Sequence, residues 1–278
     1  MGKAIMVMGT ASGVGKSTVV LALCRLLKER GYNVASFKAQ NITDRLHRLP
    51  DGKVMATSSR IAALACGVEP HIDMAPVLLR PSEGGGVDVF LHGDQIEATT
   101  FDEIRSRLFD EAFSAYERLL KHHDIVVIEG AGSPVELNLM EQDIVNMNFA
   151  RRAGVPALLV GDIHRGGVYA SIYGTLALLT PEERALFKGV IVNKFRGDPA
   201  LFNDGRGIME EVTELPVWGV LPYTTVSIED EDRLTEGRLK TSESLAGINE
   251  EEAIHQLAIE IEKHLDVTHL MKIIDKGV

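Results

Sequence analysis

Aromatic residues are scarce in this chain, at 5% of its 278 positions, so a core has to be assembled mainly from Val, Ile, Leu, Met and Ala. Cysteine is rarer still. Cys24 and Cys66 are the only two, and both fall in apolar, helix-like stretches. That excludes a disulfide framework or a cysteine metal cluster and makes both of them core thiols. Positive charge is in deficit as well: 29 Lys and Arg against 40 Asp and Glu give a net charge of −11. Nucleic acid is thereby excluded as a general partner, because phosphate backbones are held by clustered Lys and Arg. An anionic small substrate would need a local basic pocket inside an acidic protein. Long hydrophobic runs are also missing. The first apolar run, AIMVM at 4–8, is one strand long, too short for a signal-peptide core or a membrane span. The expectation is a cytoplasmic protein with no membrane and no nucleic-acid partner.

What is present is an alternation of strand-like and helix-like segments. Apolar runs at 4–8, 32–37, 125–129, 157–162, 189–193 and 217–221 are β-branched and nearly continuous in apolar character. Strands buried on both faces of a parallel sheet have this character. Helical patterns at 17–30, 101–122 and 146–153 separate them. The fold class predicted is α/β, a doubly wound, mostly parallel sheet. Residues 1–240 are expected to form the main domain and 241–278 a C-terminal helical extension. Within that extension, 249–265 reads as a helix with Asn249 as cap and one apolar face. Two stretches break the rhythm. Residues 40–93 are poor in regular pattern and contain the glycine run of 81–86, and 227–248 reads as an acidic, solvated loop.

The first strand runs into a glycine-rich loop of Gly9, Thr10, Ala11, Ser12, Gly13, Val14, Gly15, Lys16, Ser17 and Thr18. Glycines let backbone N–H groups curl around phosphate oxygens, and the following helix adds the positive end of its dipole. Lys16 is placed to reach the β- and γ-phosphates of a nucleoside triphosphate, and Ser17 to hold Mg²⁺ through its hydroxyl. The loop is one residue longer than the common G-x-x-x-x-G-K form. Such a Gly-Lys-Ser-Thr sequence between a strand and a helix makes it a P-loop.

Ligands of open α/β sheets sit at the carboxyl ends of the strands. Lys38 follows the second strand and can bridge phosphate and substrate carboxylate. Glu129 ends the third, before Gly130-Ala131-Gly132, and can bind Mg²⁺ directly or through water. Asp162 ends the fourth, as a metal support or as a cap for the next helix. Close to it, Arg165 suits an anionic ligand, and His164 reads as a loop residue. Asn193 and Lys194 end the fifth strand, where an amide can read a purine edge and a lysine stem can cover its face.

Taken together, GTASGVGKS (9–17), FKAQN (37–41), PVLLRP (76–81), EGAGSPVELN (129–138), DIVNM (143–147), DIHRGGV (162–168), IYGTLALL (172–179) and VNKFRGD (192–198) resemble the cobyric acid synthase family over roughly residues 4–235. The likeness is to its N-terminal, dethiobiotin-synthetase-like ATPase domain. It implies a P-loop NTPase fold and ATP-dependent amide formation on a carboxylate. In that chemistry an acyl phosphate is attacked by ammonia, and the acceptor is a corrinoid or related polycarboxylate. The resemblance makes Lys16, Lys38 and Glu129 the catalytic group, Ser17 and Glu129 the Mg²⁺ ligands, and Asn193 a contact to adenine. It places Ser133, Glu136, Asn138, Asp143, Asn146 and Arg165 on the substrate side. A homodimer is expected.

Three departures from the family pattern stand out. No nucleophilic cysteine of the glutaminase type is present, so ammonia would come from solution or from a separate glutaminase subunit. Ile42-Thr43-Asp44-Arg45-Leu46-His47 replaces an Asn- and Ser-rich stretch. Val54 stands where an acidic residue is expected, with Asp51 nearby. Three other readings remain open: a degenerate ATP-binding partner whose catalytic job has been lost, a dethiobiotin synthetase-like cyclo-ligase, and a nucleotide-switched regulatory ATPase of the partitioning type. The last uses an extra lysine early in its loop, where this chain has Thr10, Ala11 and Ser12.

Overall fold

In the first strand, β1 (Lys3–Gly9), Ile5 and Val7 face one way and Met6 and Met8 the other, and all four are fully buried. A strand enclosed on both faces needs helices on both sides of its sheet. The computed structural model, which describes residues 2–82, 86–97, 101–224 and 249–276, shows this arrangement. Beside β1 stand β2 (Val34–Phe37), β9 (Ile125–Glu129), β10 (Ala157–Asp162), β11 (Phe187–Phe195) and β12 (Val217–Pro222). They form one six-stranded sheet in the order β12-β11-β10-β1-β9-β2, with every pairing parallel. On one face pack α1 (Lys16–Glu29), α2 (Thr57–Cys66), α8 (Glu250–Glu262) and α9 (Val267–Lys276), against Ile5, Val7, Val127 and Leu158. On the other pack α3 (Phe101–His122), α4 (Met147–Ala153), α5 (Val168–Ala177) and α7 (Asn203–Thr213), against Met6, Met8, Ile128 and Leu159. The short α6 (Pro181–Arg184) precedes β11. The doubly wound, parallel α/β sheet expected from the sequence is therefore the observed one.

The stretch 40–93 differs from expectation. It is not irregular but holds α2 and most of a second sheet, in which β3 (Gln40–Ile42), β6 (Val77–Pro81), β7 (Val87–Leu91) and, just past the stretch, β8 (Asp94–Ile96) lie side by side. A hairpin of β4 (Leu46–Arg48) and β5 (Val54–Ala56) leads directly into α2. β3, β4, β5 and β8 are three residues each, too short to show a period-two pattern. Asp73 is buried beside this sheet and is held by Arg118 of α3 through two hydrogen bonds of 3.0 and 2.6 Å. The C-terminal helix is also two helices. In α8 the Asn249 side chain accepts from Glu251 N at 3.2 Å, as its cap role requires, but the helix ends at Glu262. Asp266 then accepts from His269 N at 2.9 Å and opens α9, whose Leu270 and Ile274 are buried. The segment read as an acidic loop, 227–248, lies outside the described residues, as do residues 83–85 of the glycine run.

Both cysteines are buried, and burial together with a hydrogen bond to Cys66 pushes the Cys24 thiol well above its ordinary pKa. They are inert core thiols, as read from the sequence. Trp218 is enclosed between β11 and α9: a Cβ on Gly189 would come within 2.3 Å of its indole nitrogen, and His269 lies 5.3 Å from it, ring to ring. Trp218→Ala should therefore destabilise the fold by about 3–5 kcal/mol. The tryptophan is the only one in the chain, so unfolding should be followed by circular dichroism rather than fluorescence. A loss under about 1 kcal/mol would show that the site collapses readily around the missing ring.

Candidate functional site

Strand order explains what meets at the carboxyl edge of the sheet. Reading β2, β9, β1, β10 and β11 across the sheet places Lys38, Glu129, the glycine loop, Asp162 and Asn193 side by side. The loop begins with Thr10 N donating to Val160 O at 3.0 Å, which ties it to β10. It ends at Gly15, whose φ of +98° is the left-handed conformation that glycine adopts without strain. A Cβ there would also lie 2.1 Å from Asn193 Nδ2. The helix α1 that follows has no side-chain cap and no acidic residue in its first turn. Its leading amides lack intrahelical acceptors and its dipole end is positive, which suits an anion.

Lys16 is 2% exposed and folds back along the loop, donating to Ala11 O and Gly132 O at 3.1 Å each. The bond to Gly132 joins the loop to the end of β9. There Ser17 Oγ donates to Glu129 Oε1 at 2.8 Å, and Lys38 Nζ donates to the same oxygen at 3.1 Å. Lys38 and Glu129 are both buried, so their ion pair is shielded from solvent screening. Ser17 and Glu129 offer hard oxygen donors side by side, a set that fits Mg²⁺, which otherwise draws on water and phosphate oxygens. Among the described residues no group of three His, Cys, Asp or Glu could hold a metal by itself.

The opposite side of the loop is braced by β11. Asn193 Nδ2 donates to Val14 O at 2.9 Å, and Asn193 Oδ1 accepts from Lys194 N at 2.8 Å. Lys194, at a φ of +63°, turns its ammonium onto Gly13 O and onto Asp162 Oδ2, the latter at 3.0 Å. Asp162 also accepts from His164 N at 2.8 Å, so it caps the turn after β10. His164 itself accepts from Arg196 Nε at 3.0 Å.

The residues assigned by resemblance to the substrate side separate into two kinds. Asn146 is buried beneath the 130–133 loop: its Oδ1 accepts from Ala131 N at 3.1 Å, and its Nδ2 donates to Ala131 O at 2.6 Å. Gly130 is needed there, because a Cβ would fall 2.4 Å from Asn146 Oδ1. Asp143 accepts from the backbone N–H groups of Val145, Asn146 and Asn148 at 2.8–3.0 Å and so holds the start of α4. Ser133 is buried and accepts from Val135 N at 3.4 Å. Glu136, Asn138 and Arg165, in contrast, are exposed on the loops after β9 and β10. One neighbourhood was not singled out in the sequence: Ser58 and Ser59, at the start of α2, share a crevice with Lys38 and Glu129. The QN of FKAQN was the available signal, since Asn41 reaches Ser59.

A P-loop at the edge of a parallel α/β sheet, with a buried lysine–glutamate pair against its serine, defines a nucleotide-binding domain. The chain belongs to the CobQ/CobB/MinD/ParA nucleotide-binding family, whose model matches residues 5–235. Among curated proteins it is similar to cobyric acid synthases. It is 46% identical over 247 residues to that of Lachnoclostridium phytofermentans, covering 86% of this chain and 48% of the relative. It is also 46% identical over 235 residues to that of Parabacteroides distasonis, covering 82% and 47%. The chain thus spans about half the length of the curated relatives it matches. Among solved structures, a MinD cell division protein from Aquifex aeolicus aligns at a TM-score of 0.47 and 13% identity, over 94% of this chain and 97% of that one. No described helix is long and apolar enough to cross a membrane.

Proposed function

We propose that this domain uses ATP to activate a carboxylate for amide formation, with a corrinoid or related polycarboxylate as acceptor. The observation that carries this reading is the convergence of Ser17 and Lys38 on one oxygen of Glu129, next to Lys16 and the loop. A switch ATPase needs only to grip the triphosphate. A buried ammonium from a different strand than the loop, paired with the glutamate that meets Ser17, supplies a second positive group for an incoming anionic nucleophile.

The acceptor carboxylate oxygen attacks the γ-phosphorus and forms an acyl phosphate, and ADP leaves with the electron pair of the broken P–O bond. Ammonia then attacks the acyl carbon, loses a proton, and phosphate departs, leaving the amide. The protein forms no covalent bond in either step; it positions groups and neutralises charge. The loop amides and the amino end of α1 hold the phosphates. Lys16 exchanges its two loop carbonyls for β- and γ-phosphate oxygens. Lys38 holds the carboxylate and then the charge of the acyl phosphate. Ser17 and Glu129 would hold Mg²⁺, which when bound neutralises charge on the β- and γ-phosphates. Asn193 and Lys194 fix the loop from the side where the base would lie. Glu136, Asn138 and Arg165 are exposed and available to an acceptor too large to enter the site, with Ser133, Asp143 and Asn146 shaping the loop that presents them. A homodimer and a cytoplasmic setting fit this reading. Ammonia would come from solution or from a glutaminase.

Incubation with ATP, Mg²⁺, an ammonium salt and a corrinoid bearing free side-chain carboxylates should yield amide, ADP and phosphate in equal amounts. If no carboxylate raises ATP turnover, even with a glutaminase and glutamine supplied, the reading is wrong. Diaminopelargonic acid with bicarbonate is the control for cyclo-ligase chemistry.

A further inference from the structure

We propose that Asn193 and Lys194 are positioning residues of the phosphate loop. They hold two of its peptides so that the amides of Val14 and Gly15 face the phosphates, and neither of them reads the base. This rests on the nucleotide-binding part of the reading above and is independent of the acceptor.

Asn193 Nδ2 donates to Val14 O at 2.9 Å, and the Lys194 ammonium donates to Gly13 O. Two consecutive loop carbonyls are thus drawn to β11. A trans peptide is planar, and its N–H points opposite to its C=O. The N–H groups of the same two peptides, those of Val14 and Gly15, therefore point away from β11 and into the loop. The backbone agrees. Gly13 at a φ of +70° and Gly15 at +98° are left-handed on either side of Val14, which is not. Such alternation gathers successive N–H groups into a concave seat for an anion.

Asn193 is 3% exposed. Its amide nitrogen is on Val14 O and its oxygen accepts from Lys194 N at 2.8 Å, so little of the side chain is left to meet a base edge. Lys194 is held as firmly. Its ammonium is paired with Asp162 Oδ2 at 3.0 Å, and Asp162 is itself tied by His164 N at 2.8 Å. The φ of +63° at Lys194 is left-handed, a conformation that lysine adopts at a cost and glycine adopts freely. A residue kept in an unfavourable backbone conformation at a ligand site points to a task for its side chain. Here the task is to orient the peptide that Gly13 O belongs to and to set a positive charge beside the phosphates.

The test is isothermal titration calorimetry in Mg²⁺ with two ligands, a non-hydrolysable ATP analogue and inorganic tripolyphosphate, which has three phosphates and no base. Wild type should bind both. Asn193→Ala and Lys194→Gly should each weaken both ligands by a similar factor, about tenfold or more, since each removes a hydrogen bond that aims an amide at phosphate. Lys194→Gly also removes the backbone cost, so it remains a folded test by circular dichroism even where Asn193→Ala, with a buried side chain cut away, fails to fold. Wild-type affinity for tripolyphosphate in either folded variant overturns the proposal. A loss in Asn193→Ala that falls mainly on the ATP analogue also overturns it, because the amide would then be reading the base. Wild type that binds the analogue and not tripolyphosphate overturns the proposal alone. Wild type that binds neither overturns the nucleotide reading as well.

Discussion

Lys16→Ala should lower ATP hydrolysis by about a hundred- to a thousandfold or more while leaving the chain folded. The side chain is 2% exposed and its ammonium is held by Ala11 O and Gly132 O alike. It spans the space that the loop encloses, and no other described lysine lies on the loop itself. On the proposed reading its loss takes a full positive charge from the β- and γ-phosphates, which the loop amides cannot replace. Stability should change little. The bonds to Ala11 O and Gly132 O are each worth about 1 kcal/mol net, and the vacated carbonyls can be reached by water at the open edge of the sheet. Lys16→Arg should be nearly as inactive, because a planar guanidinium does not fit a pocket shaped around a compact ammonium. Steady-state ATPase assays and thermal unfolding on the same samples check both statements. Near-normal turnover in the alanine variant would remove Lys16 from the site.

The parallel sheet was legible because β1, β9, β10 and β11 are buried on both faces and so appear as unbroken apolar runs. What no such run reveals is strand order. Lys38 and Glu129 stand far apart in sequence and meet only because β2 lies next to β9, and β9 next to β1. The strand-end rule placed each residue at the correct edge of the sheet, but the shared oxygen of Glu129 had to be seen. The second sheet was illegible for a related reason. β3 pairs with β6 across the whole of α2, and no three-residue strand announces a partner that distant. Motif reading also blurred two kinds of residue. Asn146 and Asp143 sit in a distinctive stretch, and their side chains hold backbone: one braces the 130–133 loop, the other starts α4. A motif records that a residue matters without recording whether it touches ligand or scaffold. α9 escaped notice because Asp266 interrupts the apolar face followed along α8, and the second face begins at a new phase.

Lys38→Ala should separate catalysis from binding. In the folded chain Lys38 donates to Glu129 Oε1 at 3.1 Å, with both groups buried. Removing the lysine leaves the glutamate hydrogen-bonded to Ser17, with an uncompensated charge in a poorly solvated place. Losing one member of a buried pair is costly, about 3 kcal/mol in unfolding free energy. That loss has a signature: Mg²⁺ with an ATP analogue should restore part of it, since a cation on Glu129 replaces the missing charge. ATP affinity itself should fall only a few-fold, because the loop, the amino end of α1 and Lys16 are untouched. Carboxylate-dependent turnover should drop about a hundredfold or more, because the charge that develops between acceptor and γ-phosphate is then met by no ammonium from β2. Lys38→Met keeps most of the volume and should behave as alanine does in catalysis while losing less in packing. The decisive comparison is the ratio of the change in kcat to the change in ATP dissociation constant. If both variants lose affinity for ATP in proportion to turnover, Lys38 serves the nucleotide alone, and the case for an acceptor carboxylate at this edge of the sheet fails with it.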